Sequence, residues 1–233
     1  MNIFQSNNRF RWLSVMHFGW LLGFVLTCIY PSQSQANAQD NPIQIAQSTW
    51  LVFGDSLSAA YGMDKQQGWV ALLQQELQKT GAHVQVVNAS ISGETTSGGK
   101  QRLPALLQQY HPQRLVLELG ANDALRGQDL HSTQQNLQAM ISACVQYNKD
   151  CQVVLLGVRL PTNYGPAYDG MFQAMYQDLA DNNRVLFDAF FLETVVEDPG
   201  LMQWDGLHPN AAAQPLILQR VWPLLEPNRV GME

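Results

Sequence analysis

Charge is scarce in this chain: Asp, Glu, Lys and Arg make up 14% of its 233 residues, and no run of Lys or Arg appears. Nucleic-acid binding needs a basic face to neutralise phosphates, so few cations and a net charge of −6 exclude nucleic acid as the expected partner. Cysteine is nearly absent, with three residues. Neither C-x-x-C nor H-x-x-x-H occurs, so no metal site is expected. Without a P-loop or G-x-G-x-x-G, the usual phosphate cradles are missing too. No internal repeat or low-complexity tract interrupts the chain after residue 49. The apolar stretch "FGWLLGFVLTCIY" holds thirteen residues, too few for a typical membrane-spanning helix.

That short run has a different meaning. It follows "MNIFQSNNRFRWLSVMH", which carries Arg9 and Arg11 and no acid, and precedes Ala36-Asn37-Ala38. A basic start, a short apolar centre and an A-x-A site form the pattern of a secretory signal peptide, expected over residues 1–38. An uncleaved anchor is the alternative. Lipidation at Cys28 is disfavoured, because Val25-Leu26-Thr27 lacks the small residue expected before a lipidated cysteine. A flexible segment is expected over 39–48 and a single domain over 49–233. Losing Arg9 and Arg11 leaves the mature chain two units more negative than −6. The expected product is acidic, soluble, monomeric and periplasmic or secreted, with no stable membrane insertion. Export leaves Cys144 and Cys151, seven residues apart in "ACVQYNKDC". An oxidising compartment permits a disulfide between them, and that pairing is expected; a buried free thiol on an apolar helix face is the other reading.

From Thr49 onward two periods alternate. Continuous apolar runs of strand length ("TWLVF", "HVQVVN", "RLVLEL", "VVLLGV", "RVLF") are separated by segments with helical spacing, such as Trp69, Leu72, Leu73 and Leu77. Leu103, Leu106, Leu107 and Tyr110 mark another helix, in which Pro104 suits a first turn, so this helix is expected to start late. Strands alternating with helices predict an α/β chain: a three-layer αβα sandwich on a flavodoxin-like, five-stranded parallel sheet. The functional edge of such a sheet lies at the carboxyl ends of its strands. There the sequence places "GDSLSAAYG", "ASISGETTSGG" and "GANDALRG", after three consecutive strands. Three polar, glycine-rich loops on one edge imply one shared site.

Ser56 stands where the first strand stops. A serine becomes a nucleophile when a base takes its proton and a third group orients that base. Among five histidines, His208 in "WDGLHPN" is the candidate base, because Asp205 lies three residues before it and can hold one ring nitrogen. Acyl transfer also needs donors for the developing oxyanion. The candidates are the backbone N–H groups of Ser56 and Gly93 and the side-chain amide of Asn122. Asp55, Asp123 and Glu118 read as buried hydrogen-bonding acids rather than catalytic ones.

"FGDSLSAAYG", "NASISGETTSGG", "LELGANDALRG" and "WDGLHPN" resemble, in order, the four signature blocks of the GDSL or SGNH hydrolases. "RLPALLQQ" and "RLPTNYG" add similarity to the family's exported branch, described as thioesterase I, lysophospholipase and arylesterase. The resemblance implies an SGNH hydrolase fold, Ser56 as nucleophile, His208 as base, Asp205 as its orienting acid, and Ser56, Gly93 and Asn122 as the oxyanion hole. Ala121 and Ala124 stand where close relatives often carry glycine, which implies a modest change beside Asn122. By the same analogy Leu160, Pro161 and Tyr164 flank an acyl groove. The implied reaction cleaves small-molecule acyl esters and thioesters without a cofactor. Within the family a carbohydrate acetylesterase is the competing expectation. A flavodoxin-like binder or a non-catalytic envelope protein is the competitor outside enzymes.

Overall fold

The computed structural model describes residues 47–227. The export signal expected over 1–38, most of the segment expected over 39–48, and Cys28 lie outside the described residues. Five strands form the sheet: β1 (Ser48–Gly54), β2 (Val84–Asn88), β3 (Arg114–Glu118), β4 (Gln152–Leu156) and β5 (Leu186–Asp188). Every pairing is parallel and the order is β2-β1-β3-β4-β5. Trp50–Phe53, Leu115–Leu117 and Val153–Leu156 are buried along their whole length. A parallel sheet covered by helices on both faces needs such runs, because neither side of the strand meets water. The result is the expected αβα sandwich.

One helical layer contains α1 (Trp69–Lys79) and α6 (Gln214–Leu225), which pack on each other. The other contains α2 (Thr96–Tyr110), α4 (Leu130–Tyr147) and α5 (Pro166–Asn183), with α4 between its neighbours. On α1 the buried residues are Trp69, Val70, Leu73 and Leu77, spaced to keep one stripe against the sheet. Each is worth about 1.5–3 kcal/mol of transfer free energy.

Two local expectations need correction. Helix α2 does not start late: it begins at Thr96, eight residues before Pro104. Its start is held by side chains, since Asp123 accepts from the Thr96 backbone N–H at 2.9 Å and from its hydroxyl at 2.6 Å. Pro104 removes the N–H that would reach the Lys100 carbonyl, but both residues lie on the exposed face, where water can serve that carbonyl. The second correction concerns "GANDALRG", read as loop. It contains a short helix, α3 (Ala121–Leu125), led by Gly120 at φ 125°. Five residues are too few for a clear apolar period.

Cys144, on α4, and Cys151, just before β4, have Cα atoms 5.8 Å apart and are joined by a disulfide. All the described residues fall in one compact unit. No helix among them is long and apolar enough to cross a membrane.

Candidate active site

Strand order reverses between β1 and β3, because the chain runs from β1 to β2 on one side and then crosses to β3 on the other. Ligands of open α/β sheets bind beyond the carboxyl ends of the strands at such a switch point. Ser56 lies two residues beyond β1 and Asn122 four beyond β3, so the reversal places them on facing loops. Gly54 lets the two strand ends approach. A Cβ there would meet the Glu118 carbonyl oxygen and the Ser58 hydroxyl, both at 2.9 Å.

The third loop is stitched to the same edge. Ile91 N–H donates to the Gly54 carbonyl at 3.0 Å, and the Ser90 hydroxyl accepts from Gly54 N–H at 3.1 Å. Glu94 pairs with Arg102 of α2 at 3.0 Å, and Arg102 also donates to the Ala89 carbonyl at 2.8 Å. Between these anchors Gly93 takes φ 78°, a left-handed conformation that favours glycine. Arg126 donates to the Gly93 carbonyl at 3.1 Å. The N–H groups of Gly93 and Ser56 find no acceptor among the described residues.

A fourth loop brings the acid and imidazole. His208 Nδ1 lies 2.7 Å from Asp205 Oδ2, and His208 Nε2 lies 2.9 Å from Ser56 Oγ. The other Asp205 oxygen accepts from the N–H groups of Leu207 at 2.9 Å and His208 at 3.0 Å. Partial burial pushes Asp205 up, but these N–H groups and the imidazole outweigh it and hold the carboxyl below its usual range. The acid therefore stays ionised and fixes the ring so that Nε2 faces the serine.

Beneath the site lie two buried acids. Asp55 Oδ2 accepts from the Asn122 side-chain amide at 3.0 Å, while Oδ1 accepts from Leu57 N–H at 3.0 Å. One Asn122 amide hydrogen is thus committed and the other remains for a ligand. Glu118 Oε2 accepts from the Ser58 hydroxyl at 2.8 Å and from Asp55 N–H at 3.2 Å. Burial drives Asp55 from 3.8 up to about 6, against the pull of the Leu57 N–H and of His208. Burial and the neighbouring Asp55 push Glu118 well above the ordinary range.

Every residue expected in the triad and oxyanion set thus lies on this one edge. Leu160 is buried in the core, whereas Pro161 and Tyr164 are half-buried. Tyr164 and Tyr168 donate hydroxyl hydrogens to the carbonyls of Leu125 and Ala124, tying the loop after β4 to α3. Sequence reasoning did not find Tyr61, whose ring centroid lies 4.5 Å from that of His208, or Arg126 on Gly93. Their only signal was membership of the "GDSLSAAYG" and "GANDALRG" loops. Among the described residues no three of His, Cys, Asp and Glu gather closely enough to hold a metal ion.

A serine within hydrogen-bond reach of an acid-oriented imidazole, with open N–H donors alongside, defines the chemistry of acyl transfer. The comparisons agree with that class. Residues 52–215 match the GDSL-like lipase/acylhydrolase family. The chain is 50% identical to an esterase, TesA, of Pseudomonas aeruginosa over 184 residues, covering 79% of this chain and 90% of that protein. It is 40% identical to "Thioesterase 1/protease 1/lysophospholipase L1" of Escherichia coli, covering 95% of each. Among solved structures, a crystal structure of TesA superposes with a TM-score of 0.75 at 49% identity, covering 77% of this chain and 99% of that one. The chain belongs to the GDSL-like lipase/acylhydrolase family. It is a hydrolytic enzyme.

Proposed function

We propose that this protein is an exported serine hydrolase that cleaves the ester and thioester bonds of acyl substrates through an acyl-enzyme on Ser56. The observation that carries this reading is the unbroken line from Asp205 through His208 to Ser56, with a 2.7 Å contact inside the last loop and a 2.9 Å contact between His208 and Ser56, 152 positions apart in the chain.

In the reaction, Ser56 Oγ gives its proton to His208 Nε2 as it bonds to the substrate carbonyl carbon. The oxyanion that forms takes hydrogen bonds from the N–H groups of Ser56 and Gly93 and from the Asn122 amide. Collapse breaks the bond to the leaving oxygen or sulfur, which receives the proton from His208. Water then attacks the acyl-enzyme by the same route, with His208 as base, and frees Ser56. Asp205 keeps the imidazole in the required tautomer and stabilises its cation.

Substrate classes follow from the relatives' names: esterase, arylesterase, thioesterase and lysophospholipase. Aryl esters, acyl-CoA thioesters and lysophospholipids are the substrate classes of this reading. The acyl chain runs towards Pro161 and Tyr164, with Leu160 beneath them as packing. Export is supported by the residue pattern of 1–38 and by the Cys144–Cys151 bond, which suits an oxidising compartment.

The test is hydrolysis of p-nitrophenyl esters from acetyl to palmitoyl by wild type and Ser56→Ala. An optimum at medium or long chains, lost in the variant, supports the reading. An acetyl-only profile redirects it to a deacetylase, and equal inertness of both folded proteins removes it.

A further inference from the structure

The residue before the nucleophile has no part in the triad, yet every polar atom it owns is committed. Asp55 is 1% exposed. Its N–H donates to Glu118 Oε2 at 3.2 Å, and its carbonyl accepts from Ala59 N–H at 2.9 Å. The two carboxylate oxygens then serve different loops. Oδ1 accepts from Leu57 N–H at 3.0 Å, closing a turn around the Ser56 peptide. Oδ2 reaches across to α3, beyond the paired strand β3, and accepts from the Asn122 amide at 3.0 Å. One buried carboxyl group thus holds the segments that carry two of the three oxyanion donors.

The chemistry of that group matters as much as its place. An ionised carboxylate only accepts hydrogen bonds, so an amide facing it must turn its nitrogen inwards. With nitrogen against Asp55, the second Asn122 hydrogen is left over for the oxyanion. Reversed, the amide would set its oxygen against the carboxylate and carry its nitrogen to the other side. The turn does comparable work for Ser56: Leu57 N–H is taken by Oδ1, while Ser56 N–H finds no acceptor among the described residues. An asparagine at 55 could not serve both arms, since it offers one acceptor and one donor in place of two acceptors. We propose that Asp55 is the positioning residue of the oxyanion hole, fixing which hydrogen of Asn122 and which side of the Ser56 peptide meet the developing charge. Asp55 touches no reacting atom; it acts through Asn122 and Ser56. The role rests on the serine-hydrolase reading above.

The experiment is a double-mutant cycle on p-nitrophenyl butyrate at pH 8, above the Asp55 pKa of about 6. Asp55→Ala is expected to lower kcat about 10²-fold with KM nearly unchanged, the scale of one lost oxyanion donor. Asp55→Asn, with one oxygen for two N–H groups, should lose only about tenfold. In Asn122→Ala protein the Asp55→Ala change should cost about tenfold or less, because only the Ser56 arm is left to disturb. A brace that served the fold alone would cost the same on both backgrounds, so a full 10²-fold loss in Asn122→Ala protein would overturn the proposal. Unchanged kcat in Asp55→Ala, or a raised KM with kcat intact, would overturn it too. If circular dichroism shows Asp55→Ala unfolded, the cycle is run with Asp55→Asn, whose loss should shrink to about twofold or less beside Asn122→Ala. Wild-type protein inert towards the ester would instead overturn the hydrolase reading, a failure distinct from an active enzyme whose variants are additive.

Discussion

The two ends of the sheet use the same kinds of residue for opposite purposes. At the amino-terminal edge polar groups are spent on one another. Gln113 accepts from Thr49 N–H at 2.6 Å and donates to the His111 carbonyl at 3.0 Å, and Arg114 donates to Gln152 at 2.7 Å while lying 4.1 Å over the Trp50 ring. Its other N–H groups, Nε and Nη1, are buried and find no acceptor among the described residues. Burial alone lowers that guanidinium to about 10. At the carboxyl edge the uncommitted donors are Ser56 N–H and Gly93 N–H, on half-buried residues that solvent and substrate can reach. An unmet donor under cover is a cost to folding. An unmet donor in reach of a developing oxyanion is what catalysis requires. Open clefts of about 730 and 620 Å³ lie at the amino-terminal edge, away from Ser56.

This contrast predicts that changes at the carboxyl edge alter rate with little effect on stability, and changes at the other end do the reverse. The largest effect is expected for His208→Ala, with kcat on an activated ester down about 10³-fold or more and an unchanged circular dichroism melt. Next comes Asn122→Ala, expected to lower kcat about 10²-fold with KM nearly unchanged, because its free amide hydrogen acts on the oxyanion rather than the ground state. Steady-state kinetics on one ester would check both.

Asp55 tests the boundary between the two behaviours. Its folded pKa of about 6 exceeds the ordinary 3.8, so the native state holds the proton more tightly than the unfolded chain. Wild-type stability should therefore fall as pH rises from about 4 to about 6. Asp55→Asn, which keeps an acceptor for Asn122, removes the Asp55 share of that slope and leaves the share of Glu118, also raised by burial. Relative to wild type it should gain up to about 3 kcal/mol between pH 4 and 7, read from urea unfolding at each pH. The smallest effect concerns the other end. Reducing the Cys144–Cys151 bond should cost about 2 kcal/mol of stability and leave kcat on short esters unchanged. Intact mass with and without reductant, paired with a melting curve, reads it.

Much of this was legible in the sequence because it is local. The five apolar runs match the five strands, and the three central ones, β1, β3 and β4, are apolar almost throughout because both their faces are buried. The Ser56, Gly93 and Asn122 blocks were visible as polar, glycine-rich stretches after strands, and Asp205–His208 as an acid and an imidazole three residues apart in one late loop. What escaped depends on partners distant in sequence. Pro104 is tolerated because the start of α2 is held by Asp123, 27 residues beyond Thr96. Tyr61 meets His208 only after the last loop folds back on the first.

The most direct test of the central claim is covalent. Treating this protein with an activated alkyl phosphonate and mapping the adduct by peptide mass should give one phosphonyl group per chain, on Ser56, and none in Ser56→Ala. Stoichiometric labelling of another residue, or full esterase activity after Ser56 is blocked, would contradict the account.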